Sequence, residues 1–534
     1  MSLLPDYTQL SLEQQIAQMI VVRASGCLFD HQIRFPQWEP SNETLRYWLE
    51  SLSLGGVILL GGTAAEIAQR TDQLQGWAQT PLLIAADIEE GVGQRFAGAT
   101  GFPPPMALGE IAKTNLPLAK EYAAQMGAIT TKEALALGIN WLLAPVVDVN
   151  NNPENPVINV RAFGETSAIV SELSSAFIEG ANPYPVLTTA KHFPGHGDTA
   201  TDSHLSLPVL TVESDRLAEV EIPPFASAIA QGVDGIMSAH LLVPNWDDTF
   251  PATLSSTILT QQLRFNLGFE GLIVTDALIM GALTQVATPE EIPVLAIEAG
   301  ADILLMPHHP ESAIASIAEA VNSGRLSPQR ISASVARIWE AKRKTSYAEK
   351  GNFLNELATP TALKTTKEIL TNSGRSKGNL PIPIPEGETP GQNIIIVDDL
   401  LNCDFLDRNS SAIAIPQQLG YQLQLLGQAQ TLPESPQNSS FTLVQLFTRG
   451  NPFRGESGLN QATKAFLQAL SDQGGVQAVM VYGSPYVLTW LEENFGETVP
   501  WIFTYGQDTT ACAIGLQHLF DLSELPSFQE PTFL

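Results

Sequence analysis

Short apolar runs alternate with longer amphipathic stretches from the start of the chain to about Lys344. The runs Met19–Val22, Gly56–Leu60, Leu82–Ala86, Ile139–Leu143, Val186–Ala190, Gly235–Ser238, Gly271–Thr275 and Ile303–Met306 read as buried strands. Between them, Pro117–Leu137, Ile169–Glu179, Phe225–Gln231 and Pro310–Ser323 carry helix-like spacing. A doubly wound open sheet gives a similar alternation, but eight such units favour closure. The expectation is a parallel (β/α)8 TIM barrel over residues 1–345. Helix starts are marked as well: Ser11 precedes Leu12-Glu13, and Ser214-Asp215 precede Arg216.

After Lys344 the texture changes. Residues Ser373–Gln392 are rich in Pro and Gly, which places a linker over 346–392. Beyond it, Asn393–Val397, Val479–Tyr482 and Trp501–Tyr505 are strand-type runs separated by helix-like segments, and only four Lys or Arg occur from Leu401 onward. Residues 393–534 therefore read as a second, smaller α/β domain.

The layout has a chemical consequence. In a parallel barrel, polar residues that directly follow strands converge on one face, the C-terminal one. Asp87, Lys191-His192, His240 and Asp276 all stand in such positions. The densest cluster is Lys191-His192-Phe193-Pro194-Gly195-His196-Gly197-Asp198, followed by Thr199-Ala200-Thr201-Asp202-Ser203-His204. It holds three of the eight histidines, and its Gly and Pro residues make it a loop. Three readings compete for it: a metal site on His192, His196, Asp198, Asp202 and His204, an acid/base site, or a hydrogen-bonded structural loop. The HxxxH spacing cannot lie on one helix face across Pro194-Gly195, and Lys191 sets a positive charge beside any cation. Acid/base chemistry fits better, because a carboxylate such as Asp202 can fix the tautomer of His204 and raise its pKa. Asp276 and Asp87 are each open to three roles: nucleophile, electrostatic stabiliser or helix N-cap. Arg95 lies on a Gly-containing loop after Asp87, whose Gly-Val-Gly is no dinucleotide fingerprint. Arg161 lies in an Asn- and Pro-rich insertion too long for a plain strand–helix connection.

Composition narrows the classes. Hydrophobic residues are 44% and charged residues 16%, a globular balance. With 27 Lys and Arg against 56 Asp and Glu, the net charge of −29 repels nucleic-acid backbones and anionic lipid surfaces. Three scattered cysteines form neither a disulfide framework nor a zinc pattern. The first residues lack a secretory pattern, and no uncharged apolar run reaches the roughly 18 residues of a membrane span. A soluble, cytoplasmic protein is expected.

The string KHFPGHGDTATDSHLSLP at Lys191–Pro208 closely resembles the signature of bacterial β-N-acetylhexosaminidases of glycoside hydrolase family 3. Supporting matches run in family order: Asp87–Phe96 with Gly101-Phe102-Pro103, LAPVVDVN…NPVINVRAFGE, Met237-Ser238-Ala239-His240, and Pro251–Met280. The Asp202-Ser203-His204 element is specific, since ordinary β-glucosidases of the family lack it. The loop after Asp87 departs from the usual pattern of one Gln and two Gly before the Arg, with Ile88, Glu90, Val92 and Gly93 instead. More weakly, Val479–Leu491 and Pro500–Gly506 resemble the αβα sandwich of two-domain relatives.

The resemblance implies Asp276 as nucleophile of a covalent glycosyl-enzyme, and His204 as acid/base with Asp202 as its partner. Asp87, Arg95, Arg161, Lys191 and His192 match residues that bind the sugar of the −1 subsite. The implied activity is removal of terminal GlcNAc from β-linked glycosides, without metal or cofactor, on peptidoglycan fragments during cytoplasmic cell-wall recycling. A His acid/base departs from the usual two-carboxylate scheme. A neutral base does not repel an incoming anion, so phosphate could replace water, and some relatives are described as phosphorylases. A catalytically silent sugar-binding protein is the alternative from a different class.

Overall fold

The computed structural model describes residues 4–199, 207–345, 353–385, 390–401, 403, 405–430, 441–450, 458–496 and 499–522. The chain divides into two compact units, residues 1–152 with 161–363 and residues 153–160 with 364–534.

The first unit is built on eight parallel strands: β1 Ile20–Ala24, β2 Gly56–Leu59, β3 Leu83–Ala86, β4 Trp141–Leu142, β5 Leu187–Phe193, β6 Gly235–Ser238, β7 Leu272–Thr275 and β8 Leu304–Leu305. They are ordered β8-β1-β2-β3-β4-β5-β6-β7, and a parallel bridge between Val274 and Ile303 joins the two ends into a barrel. The strands are buried on both faces, which is why they read as continuous apolar runs rather than alternating ones. All eight strand positions read from the sequence carry a strand. Ser11 caps the first helix, Leu12–Gln18, in a reciprocal box with Gln14.

The long helix Met106–Ala136 breaks at Asn115, whose φ of −148° and ψ of 77° are non-helical. The Asn115 carboxamide oxygen accepts the Leu118 N–H at 3.2 Å, so the second half starts afresh with Pro117 in its first turn. That half lies so close to helix Ser167–Ala181 that a Cβ on Gly127 would come within 2.1 Å of the Phe177 carbonyl oxygen.

Part of the stretch read as a linker is regular structure. Thr359 and Pro360 open a helix over Pro360–Ser373, with the Thr359 hydroxyl accepting the Ala362 N–H. The Pro- and Gly-rich texture begins only after that helix. The second unit then forms one sheet from β9 Arg375–Lys377, β10 Gly391–Val397, β11 Tyr421–Gly427, β12 Thr442–Thr448, β13 Val476–Gly483 and β14 Trp501–Thr504. Its order is β9-β14-β13-β12-β10-β11, with β9 antiparallel and the rest parallel. The five parallel strands thus run second-first-third-fourth-fifth, a doubly wound arrangement. The three cysteines are free thiols. No helix among the described residues is long and apolar enough to cross a membrane.

Candidate active site

Strand register decides which side chains face the barrel interior. Arg23, Ile58, Ala85, Trp141 and Leu187 pair in one continuous layer from β1 to β5. Asp87 lies two residues beyond Ala85, and Lys191 four beyond Leu187, so both share that layer's face. Their side chains meet across the intervening β4, with Lys191 Nζ 2.7 Å from Asp87 Oδ1. Two strands that are not neighbours touch in this way only through the inside of the barrel. Lys191 Nζ also lies 2.6 Å from Glu89 Oε1. Glu89 in turn accepts a two-pronged bond from Arg161, Nε to Oε2 and Nη2 to Oε1, both at 2.8 Å.

Two carboxylates and two cations therefore balance at the C-terminal mouth. Lys191 and Glu89 are almost fully buried, whereas the Asp87 side chain keeps 26% of its exposure. Burial by itself would raise the Glu89 carboxyl, but the Arg161 and Lys191 charges outweigh it and hold the group well below the usual range. Burial likewise works against the charge of Lys191. Its carboxylate partners prevail and raise the ammonium above its ordinary pKa. Glu89 and Lys191 therefore stay ionised at neutral pH. Arg95 stands at the exposed rim, and its Nε donates to the Asp87 carbonyl at 3.0 Å.

His192 reaches the site through an irregularity in β5. The β5–β6 register pairs Lys191 with Met237 and Phe193 with Ser238, leaving His192 as an extra residue. Phe193 packs edge-on against Phe225 of helix Ile222–Ala230, so it points outward, and the bulge leaves His192 free to join the loop after β4. There Asp148 accepts from His192 Nδ1 at 2.7 Å, from the His192 N–H at 3.2 Å and from the His196 N–H at 2.7 Å. Asp148 is a fully buried carboxylate. The facing His192 outweighs the cost of that burial and holds its pKa below the ordinary value.

His196 is bonded through Nδ1 to the Thr199 hydroxyl at 2.7 Å, and burial pulls it down to about 4 against the opposing charges of Asp148 and Asp276. It is neutral at physiological pH. Gly197 permits this packing, since a Cβ there would lie 1.8 Å from the Val149 carbonyl oxygen.

Asp276 follows β7 directly. Its N–H donates to the Ser238 carbonyl at 3.2 Å, and its Oδ1 accepts the Ala277 N–H at 2.7 Å. The next helix, Gly281–Thr284, begins after Met280, so Asp276 caps nothing. Asp87 is no cap either, because the helical turn that follows it, Val92–Gln94, is preceded by Gly91. His240, at the end of β6, is buried, and its Nε2–H donates to the Ala277 carbonyl at 3.0 Å, fixing the backbone beyond Asp276. Asp202 and His204 lie outside the described residues.

The residues that sequence reasoning did not select are Glu89 and Asp148. Glu89 is two positions past Asp87 in the same loop, and Asp148 is a lone carboxylate between Val147 and Val149. Among the described residues, no group of three or more His, Cys, Asp or Glu is disposed to hold a metal ion.

Comparison with known proteins accords with this geometry. Residues 11–341 match the model of the glycosyl hydrolase family 3 N-terminal domain, and residues 385–521 that of the bacterial glycosyl hydrolase family 3 C-terminal domain. Similar curated proteins include beta-hexosaminidase A of Pseudoalteromonas piscicida, 37% identical over 322 residues, or 54% of this chain and 53% of that one. A beta-N-acetylglucosaminidase/beta-glucosidase of Cellulomonas fimi is 31% identical over 347 residues, or 62% of this chain and 60% of that one. The chain thus spans little more than half the length of these relatives. Among solved structures, a glycoside hydrolase family 3 beta-N-acetylglucosaminidase from Paenibacillus sp. str. FPU-7 superposes with a TM-score of 0.76 at 28% identity, covering 96% of this chain and 97% of the other. The two-unit architecture, the charged mouth of the barrel and these matches agree: the chain belongs to glycosyl hydrolase family 3.

Proposed function

We propose that the protein is a retaining exo-β-N-acetylglucosaminidase. The observation that carries the reading is a half-buried, non-capping carboxylate, Asp276, at the C-terminal end of β7, on the same mouth of the barrel as the cluster of Asp87, Glu89, Lys191 and Arg161. The printed names of the similar proteins, beta-hexosaminidase and beta-N-acetylglucosaminidase, support the sugar class.

Asp276 attacks the anomeric carbon, and the bond from that carbon to the leaving oxygen breaks as the imidazolium of His204, partnered by Asp202, donates its proton to that oxygen. The resulting ester on Asp276 is opened by water, whose proton passes to the now neutral His204. Asp87, Lys191, Arg161, His192 and Arg95 hold the hydroxyls of the sugar in the −1 subsite, and Glu89 keeps Lys191 and Arg161 in place. Peptidoglycan fragments as natural substrate, and a cytoplasmic location, rest on the sequence resemblance.

The test is hydrolysis of an aryl β-N-acetylglucosaminide beside the β-glucoside, with and without phosphate. Release confined to the acetamido sugar, with the β-anomer of GlcNAc as first product, supports the proposal. Formation of the sugar 1-phosphate would replace hydrolase by phosphorylase. Binding of GlcNAc without turnover of either glycoside would make the chain a sugar-binding protein.

A further inference from the structure

The connection from β1 to helix Asn42–Glu50 carries a group of large apolar side chains in the open. Phe29 is 61% exposed, Phe35 42% and Trp38 37%. Single exposed apolar residues are ordinary, but a cluster of aromatic rings on one loop is not.

Two of these rings are fixed from beneath. Arg23 places its guanidinium carbon 4.9 Å from the Phe35 ring centre and 5.3 Å from that of Trp38. Both lie within cation–π range. The rings are near-parallel, at 28°, with centres 5.8 Å apart. Glu39 locks the guanidinium with bonds from Nε at 2.9 Å and Nη2 at 2.6 Å, and the Arg23 and Glu39 side chains are only 10% and 8% exposed. Backbone bonds from the Trp38 and Glu39 N–H groups to the Phe35 carbonyl close the turn that presents the rings. The result is a partly exposed aromatic tile seated on a buried ion pair.

Its position follows from register. Arg23 belongs to the same interior-facing layer as Ala85, two residues short of Asp87. In the strand order β7-β8-β1-β2-β3, the strand beneath the tile is the middle one, between those that present Asp276 and Asp87. A fixed aromatic surface on the rim of a polar sugar site matches the C–H face of a pyranose ring.

We propose that Phe35 and Trp38 form the subsite for the reducing-side sugar of the substrate, the ring on the far side of the cleaved bond. This rests on the glycosidase reading above and adds to it that the substrate is at least a disaccharide.

The experiment compares methyl β-N-acetylglucosaminide, which has no second ring, with N,N′-diacetylchitobiose, on the full chain and on its Trp38→Ala, Trp38→Phe and Phe35→Leu variants. Trp38→Ala should raise KM for the disaccharide about 3- to 10-fold with kcat little changed, leave the methyl glycoside within about twofold, and be largely rescued in Trp38→Phe. Parallel losses on both substrates, or no loss on either, would overturn the subsite. So would a change in the protein's solution mass on Trp38→Ala with unaltered kinetics, which would make the rings a protein contact. If the parent chain releases sugar from neither glycoside, the glycosidase reading fails by itself. Calorimetric binding of the disaccharide against GlcNAc then tests the tile, and equal affinities in the parent and Trp38→Ala chains would dismiss it.

Discussion

The barrel carries a buried ionic network at each end of its strands, and the two differ in kind. At the N-terminal end Asp302, two residues before β8, is fully buried. It accepts from Arg264 at 2.7 Å, Arg337 at 3.1 Å, Ser334 at 2.6 Å and the Ile273 N–H at 3.1 Å. The arginines around it spend further donors on backbone carbonyls, Arg264 on Phe269 and Gly271 and Arg330 on Ala301. That network is closed, and serves as a staple between the last strands and helix Pro328–Thr345. At the C-terminal end the Asp87–Lys191–Glu89–Arg161 set balances its charges but leaves Asp87 partly open to solvent. Buried ion pairs alone do not mark a functional site. What separates these two is their place relative to strand direction and the partly open Asp87 in one of them.

The largest expected effect lies at the C-terminal mouth. Asp276→Ala should lower kcat on an aryl β-N-acetylglucosaminide by about 10⁴-fold or more while leaving the circular-dichroism spectrum and melting temperature close to the parent's. Substantial residual turnover would remove Asp276 as nucleophile.

At the closed end the expected loss is of stability. Asp302→Asn leaves Arg264, Arg330 and Arg337 facing an amide, at a cost of about 3–5 kcal/mol in urea unfolding, with kcat/KM of the folded fraction unchanged. A large loss of activity at full stability would erase the distinction between the two ends.

Glu89→Gln is the counterpart at the mouth. It frees Arg161 and Lys191 to shift, and kcat/KM should fall about 100-fold with a smaller change in unfolding midpoint than Asp302→Asn gives. Equal behaviour of the two variants would mean that both networks are staples.

The smallest effect is a pH slope. Lys342, on helix Pro328–Thr345, is fully buried with Nζ 2.6 Å from Gln18 Oε1, and burial lowers its pKa to about 7. Between about pH 7 and the unfolded value near 10.4 the unfolded chain binds the extra proton, so stability rises with pH across that window by at most about 1.4 kcal/mol per unit. Below pH 7 both states are protonated and this slope vanishes. Lys342→Met should flatten the difference between unfolding midpoints at pH 7 and pH 9, and an unchanged difference would show that Lys342 keeps its ordinary pKa.

Much of this was legible in the sequence because parallel strands buried on both faces announce themselves as apolar runs, and the residue after each run is then located by topology. Asp87, Lys191 and Asp276 were found in that way. Glu89 was not selected because a carboxylate in a glycine-rich loop looks solvated until Arg161, 72 positions away, folds onto it. Asp148 was passed over for a similar reason, since its partners His192 and His196 are more than forty residues distant. The sequence also gave no hint that Asp302, standing before a strand rather than after one, gathers arginines from two helices. The helix Pro360–Ser373 is masked in the sequence by the Pro- and Gly-rich tract beside it, which dominates the local composition.

The extra residue in β5 bears on which changes of length this protein tolerates. Upstream of it, the strand places side chains by strict alternation; past it, the parity is reversed, and Phe193 faces the outer helices instead of the interior. Removing one residue between Thr188 and His192 would restore uniform alternation and exchange inside for outside at the mouth of the barrel. Substitution can adjust this segment without altering that parity, but shortening it by one residue cannot.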